Sequence, residues 1–201
     1  MFIRFYTILM MLVFTDFEVN AQFNLPEGYT ISKDFNDSSL SIQADFNKDG
    51  KKDLFAIISN QEKTRLVSFI SNKKKFVMHV SKEMDYFDCC SSIQFEKNIL
   101  KLSSNGMRYF EYYKLRYNAK ISNFEVIGID SESFGNAAHD GAGMQSLNLL
   151  TGNYEYSSYT ASTDSTGTTN TGNKKLKLPV KYTMTNFGQA LEFFQNADNE
   201  D

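Results

Sequence analysis

The sequence predicts a mostly β protein of antiparallel meander sheets with one short helix near its C-terminal end. Three observations carry this. Apolar and polar residues alternate at a period of two along most of the chain, turn-forming residues interrupt the apolar runs at short intervals, and only one late stretch repeats at helical spacing. In order, Leu40, Ile42, Ala44 and Phe46 alternate with polar neighbours. Residues 54–58 form a continuous apolar run, the mark of a strand covered on both faces. Residues 66–70 and 76–80 flank Ser71-Asn72-Lys73-Lys74-Lys75, a hairpin tip whose lysines also discourage edge pairing. Ile93 with Phe95, then 99–102, 109–117, 124–129, 146–150 and 154–159, read as further strands. Asn98, Asn105-Gly106, residues 118–120 and Thr151-Gly152-Asn153 supply the turns. Phe187, Ala190, Leu191 and Phe194 fall at i, i+3, i+4 and i+7, one face of a helix. Residues 157–172 are rich in Ser, Thr and Gly with no apolar residue after Ala161, so a flexible loop or long hairpin tip is expected there.

Composition bounds the function. The chain has 201 residues, 41% of them hydrophobic, with 18 Phe and 11 Tyr, enough to build a core. Lys and Arg number 21 against 24 Asp and Glu, so there is no basic surplus of the kind nucleic acid requires. Residues 1–21 read as a signal peptide: Arg4, ten largely apolar residues at 5–14, then Val19-Asn20-Ala21 as the cleavage site. That run is too short for the ~20 residues that span a bilayer, and no second run follows. The expectation is an exported protein, periplasmic, cell-surface or secreted, whose single β-rich domain covers residues 22–201. Its two cysteines, Cys89 and Cys90, are adjacent. Two small thiols, a strained vicinal disulfide and an intermolecular bond all remain open, since neighbouring Cα atoms lie nearer (~3.8 Å) than the usual ~4.4–6.8 Å of a disulfide. Asn36-Asp37-Ser38 fits an N-glycosylation pattern.

The sharpest chemical signal is Asp45-Phe46-Asn47-Lys48-Asp49-Gly50-Lys51-Lys52-Asp53. Side-chain oxygens recur at positions 1, 3, 5 and 9, and glycine stands at 6. A loop curled on that spacing directs Asp45, Asn47, Asp49 and Asp53, with the carbonyl of Lys51, onto one hard cation such as Ca²⁺. Position 12 is Ala56 and an apolar run follows, so a regulatory helix-loop-helix is not expected.

This loop, followed by Leu54-Phe55-Ala56-Ile57-Ile58, resembles the calcium loop of FG-GAP/VCBS-type repeats. The resemblance covers about residues 39–80 and implies a blade-like unit in which the loop joins two strands; outside the cytoplasm the ion is expected to be structural rather than signalling. The chain is also similar to small exported Bacteroidetes proteins carrying one such loop. Asp164-Ser165-Thr166 resembles an O-glycosylation motif of that group.

Three further constellations stand out. Glu132, His139 and Asp140, in or before a Gly/Ala-rich loop, are weak candidates for a hydrolase site. Glu83, Asp85 and Asp88 are candidates for a second cation site or a solvated acidic turn. On the strand at 109–117, Phe110, Tyr112, Lys114 and Arg116 share one pleat face, and Tyr109, Glu111, Tyr113, Leu115 and Tyr117 the other. Tyr112, Lys114 and Arg116 thus form a candidate surface for a protein or glycan partner. The leading expectation is a calcium-stabilised binding module at the cell envelope. The alternatives are the small hydrolase and an orphan blade whose open edge at residues 39–46 needs a partner chain.

Overall fold

The computed structural model describes residues 23–34, 36–73, 75–85, 91–162 and 167–199. The signal-peptide segment, Asp88, Cys89, Cys90 and Asp164-Ser165-Thr166 lie outside them. Strands β1 (Thr30–Ile31), β2 (Ser41–Ala44), β3 (Asp53–Ser59), β4 (Thr64–Asn72) and β5 (Lys75–Val80) make the first antiparallel sheet. β1 and β2 share one edge of β3: β1 pairs with Ile58 and Ser59, β2 with residues 53–56. The second sheet is an unbroken antiparallel meander of seven strands. These are β6 (Ser92–Glu96), β7 (Ile99–Asn105), β8 (Tyr109–Asn118), β9 (Asn123–Phe134), β10 (Ala142–Asn148), β11 (Asn153–Thr160) and β12 (Thr168–Lys175). The fold is therefore mostly β and antiparallel, and neither sheet closes into a barrel.

Register explains where the core lies. Leu102, Tyr113, Ile129, Leu147 and Tyr154 stand directly opposite one another across β7 to β11, so one buried row crosses five strands. Phe55, Ile57, Leu66 and Ile70 of the first sheet meet that row in the same hydrophobic core. Helix α1 (Phe187–Gln195) adds Phe187, Ala190, Leu191 and Phe194, the four residues its spacing singled out. The ring of Phe187 meets Tyr113 edge-on at 5.3 Å. A smaller core covers the other face of the first sheet, where Phe23 packs on Leu54, Ala56, Ile58, Val67 and Phe69, flanked by Leu25 and Tyr29. β3 is thus covered on both faces, as its apolar run requires.

Of the two expectations for residues 157–172, the long hairpin describes the structure. Residues 157–160 continue β11 and 168–172 begin β12, so only residues 161–167 separate two long paired strands. A strand at the edge of a sheet needs backbone partners more than apolar side chains, which is why its composition reads as loop. Gly172 serves the close approach: a Cβ there would come within 2.5 Å of the Tyr156 ring. On β2, the edge away from β3 carries no strand hydrogen bonds among the described residues, while Ile42 and Ala44 pack on the core.

Candidate functional site

The β2–β3 loop is organised by its own acids. Asp45 accepts hydrogen bonds from the amides of Asp49 (3.0 Å) and Gly50 (2.9 Å), and Asn47 Oδ1 accepts from the same Asp49 amide (3.0 Å). Asp49 Oδ1 accepts from Lys51 N–H (3.0 Å). Gly50 takes φ +84°, a conformation glycine adopts without steric cost. Phe46 points the opposite way, into the core, where its ring meets Phe95 at 4.8 Å and Phe124 at 5.1 Å. The alternation of loop residues therefore turns oxygens to one side and anchors the loop on the second sheet from the other.

Ser71, at the end of β4, gathers the remaining oxygens. Its hydroxyl lies 2.7 Å from Asp49 Oδ2 and 2.8 Å from Asp53 Oδ1, its amide donates to Asp53 Oδ1 at 2.7 Å, and its carbonyl accepts from Asn47 Nδ2 at 2.7 Å. The other oxygen of Asp53 accepts from Phe46 N–H at 2.9 Å. Lys51 extends its ammonium to the carbonyl of Lys73, a further tie between loop and hairpin. The hydroxyl of Ser71, then the Lys51 amide, hold the Asp49 carboxyl below its ordinary carboxylate range against the opposing effect of burial.

These residues fit a hard cation on the chemistry of the donor set. Asp53 is fully buried, and every hydrogen bond described for it comes from a neutral donor. Among the described residues, no Lys or Arg forms an ion pair with Asp45, Asp49 or Asp53. A buried carboxylate without a cation is costly, and Ca²⁺ favours oxygen-only ligands. No three Asp, Glu, His or Cys side chains among the described residues form a metal group by themselves. An ion held here would draw on Asn47 and the Lys51 carbonyl beside Asp45, Asp49 and Asp53. It would supply positive charge that joins loop to hairpin.

A cleft of about 280 Å³ opens beside this loop. Asn47, Asp49 and Ser71 form one side and Tyr117, near the end of β8, with Ser122, in the turn to β9, the other. Tyr117 packs edge-on against Phe124 at 5.7 Å, and burial raises its phenol above the ordinary value while Ser122 hydrogen-bonds to it. Spacing within the loop pointed to Asp45 through Asp53, but nothing local pointed to Ser71 or Tyr117.

The remaining candidates lie outside this loop. His139 is exposed at the β9–β10 tip with φ +62°. Asp140 Oδ1 accepts from Ala161 N–H at 2.9 Å and so joins two hairpins. Glu132 lies on β9 opposite Phe110 and Met144. Glu83 is engaged by Tyr29 and Arg65, and Asp85 by Lys63. On β8, Tyr113 and Leu115 are buried, whereas Tyr112, Lys114 and Arg116 face away from the core. Each of the three has a neighbour: Lys101 Nζ stands 4.2 Å from the Tyr112 ring centre, Lys114 pairs with Asp130 and Arg116 with Glu125. No helix of the described residues is long and apolar enough to cross a membrane. No family model, curated protein or solved structure matches this chain.

Proposed function

We propose that this protein is an exported, calcium-stabilised β module that acts by binding a partner at the cell envelope, with a loop of the FG-GAP/VCBS type as its metal centre. The observation that carries the reading is the fully buried Asp53, held with Asp49 and Asn47 around Ser71 and ion-paired with no basic side chain among the described residues. The role of the ion is structural, because the oxygens that would ligate it join a loop, a hairpin and, through Phe46, the second sheet. Export rests on Arg4, the apolar run at 5–14 and the small residues before Gln22. Binding rests on the outward Tyr112, Lys114 and Arg116 of β8 and on the cleft beside the loop. The hydrolase alternative has less to rest on, since Asp140 is taken up by the Ala161 amide and His139 stands exposed at a hairpin tip.

Thermal unfolding of the chain from Gln22 onward, in calcium and in chelator, tests the metal centre. Extracellular modules bind with Kd near ~10⁻⁴ M, so about 10 mM calcium adds roughly 2.7 kcal/mol. For a chain of this size that is a rise of about 5–10 °C. Asp49→Ala should abolish the rise, so that the variant melts at the same temperature in calcium and in chelator. An equal calcium-induced rise in both proteins, or none in either, overturns the proposal.

A further inference from the structure

We propose that the cleft beside the metal loop binds one small uncharged polyol, the chemistry of a single sugar ring; this rests on the calcium reading of the loop that forms one of its walls. At about 280 Å³ the cleft falls just below the ~300–1,000 Å³ of ligand pockets, so its occupant is compact. Three segments distant in sequence line it: Asn47 and Asp49 from the β2–β3 loop, Asn72 and Lys73 from the β4–β5 hairpin, Tyr117 and Ser122 from the β8–β9 hairpin. One carboxylate and one ammonium give the lining no net sign, which disfavours a strongly charged ligand of either kind.

The other polar groups are amides and hydroxyls, which donate and accept alike. Ile70 and Val77 add an apolar wall. A ring with hydroxyls on its rim and C–H groups on its faces satisfies both halves of that lining. The Tyr117 hydroxyl keeps its proton and can donate. Asp49 belongs to the wall and to the metal loop together, and its partner Ser71 also lines the cleft. Calcium thus holds one side of the cleft in place.

The test is ¹H–¹⁵N titration of the purified protein in calcium and in chelator. The probes are glucose, galactose, mannose and N-acetylglucosamine, trisaccharides ending in each, and inorganic phosphate. Expected is saturable binding of at least one free sugar or one trisaccharide, with shifts at Asn47, Asn72, Tyr117 and Ser122; which of the two binds tells a free sugar from the end of a glycan. Asn72→Ala and Tyr117→Phe, both conservative for folding, should each weaken binding by ~3–10-fold, the worth of one neutral hydrogen bond. Thr169→Ala on β12 should change nothing. No saturable shift with any sugar, binding of phosphate alone, or variants that bind like the unaltered protein overturns the inference. If calcium raises the melting temperature yet no sugar binds, the cleft proposal falls and the metal centre stands. If sugar binds equally in chelator and calcium does not stabilise, the metal centre falls and the polyol site stands.

Discussion

Replacing Asp53 with alanine separates what the carboxylate does alone from what it does with an ion. The side chain is fully buried and accepts from Phe46 N–H at 2.9 Å, Ser71 N–H at 2.7 Å and the Ser71 hydroxyl at 2.8 Å. In the variant the hydroxyl still has Asp49, but the two buried amides lose their acceptor. At ~1–3 kcal/mol per stranded group the loss is about 2–6 kcal/mol. Removing a buried charge recovers part of its desolvation cost, which places the net loss nearer ~2–4 kcal/mol. Against a typical stability of ~5–15 kcal/mol that is a large fraction. The assay is urea unfolding in chelator, followed by tyrosine fluorescence because the chain has no Trp. In calcium near 100-fold saturation the gap between the two proteins should widen by ~2.7 kcal/mol. A variant within ~0.5 kcal/mol of the unaltered protein in chelator refutes the hydrogen-bonded clasp. An identical gap in calcium and chelator refutes the ion.

Three further outcomes follow from the packing. Phe23→Ala removes the ring that meets Phe69 at 4.9 Å and Phe76 at 5.0 Å; it should cost about 3 kcal/mol and raise binding of an apolar dye, with any calcium-induced stabilisation unchanged. Burial lowers the pKa of His79, whose Nε2 is buried with no partner. The folded form therefore stays neutral while the unfolded chain takes a proton, so stability is complete above pH ~6.5 and falls as pH drops below it. His79→Gln should flatten that limb in denaturant midpoints measured from pH 7 to 5, and an unchanged limb would count against it. Burial, then the 2.6 Å bond to Asp198, raises the Tyr154 phenol well above its ordinary value. Its stabilisation is complete below pH ~10 and is lost as pH rises through the folded value. Asp198→Asn should bring the last phenol to ionise in an ultraviolet titration to lower pH, and an unmoved final step would refute the pairing.

What was legible in the sequence was what a few neighbouring residues decide. Alternation over 40–46 and 109–117 marks β2 and β8 because side chains two apart share a pleat face whatever lies beyond. The helical face of Phe187, Ala190, Leu191 and Phe194 is equally local. So is the metal loop, since Asp45 reaches amides only four and five residues ahead. Where pairing alone holds a segment, the pattern fails: β12, all Thr, Asn, Gly and Lys, is a strand because β11 supplies its backbone partners along eight residues.

By itself, then, the sequence determined the β class, most strand positions, the C-terminal helix and the spacing of the loop acids. Tertiary structure decided that Phe23 covers the outer face of β3, that Ser71 joins Asp49 to Asp53, and that Tyr117 faces them across a cleft. It also decided that Asp140 is held by the Ala161 amide of the neighbouring hairpin. The physical reason is range. A turn or a pleat is set by interactions within a few residues, whereas a site assembled from β2–β3, β4 and β8–β9 exists only once two sheets have packed, and that depends on many weak contacts summed over the whole chain.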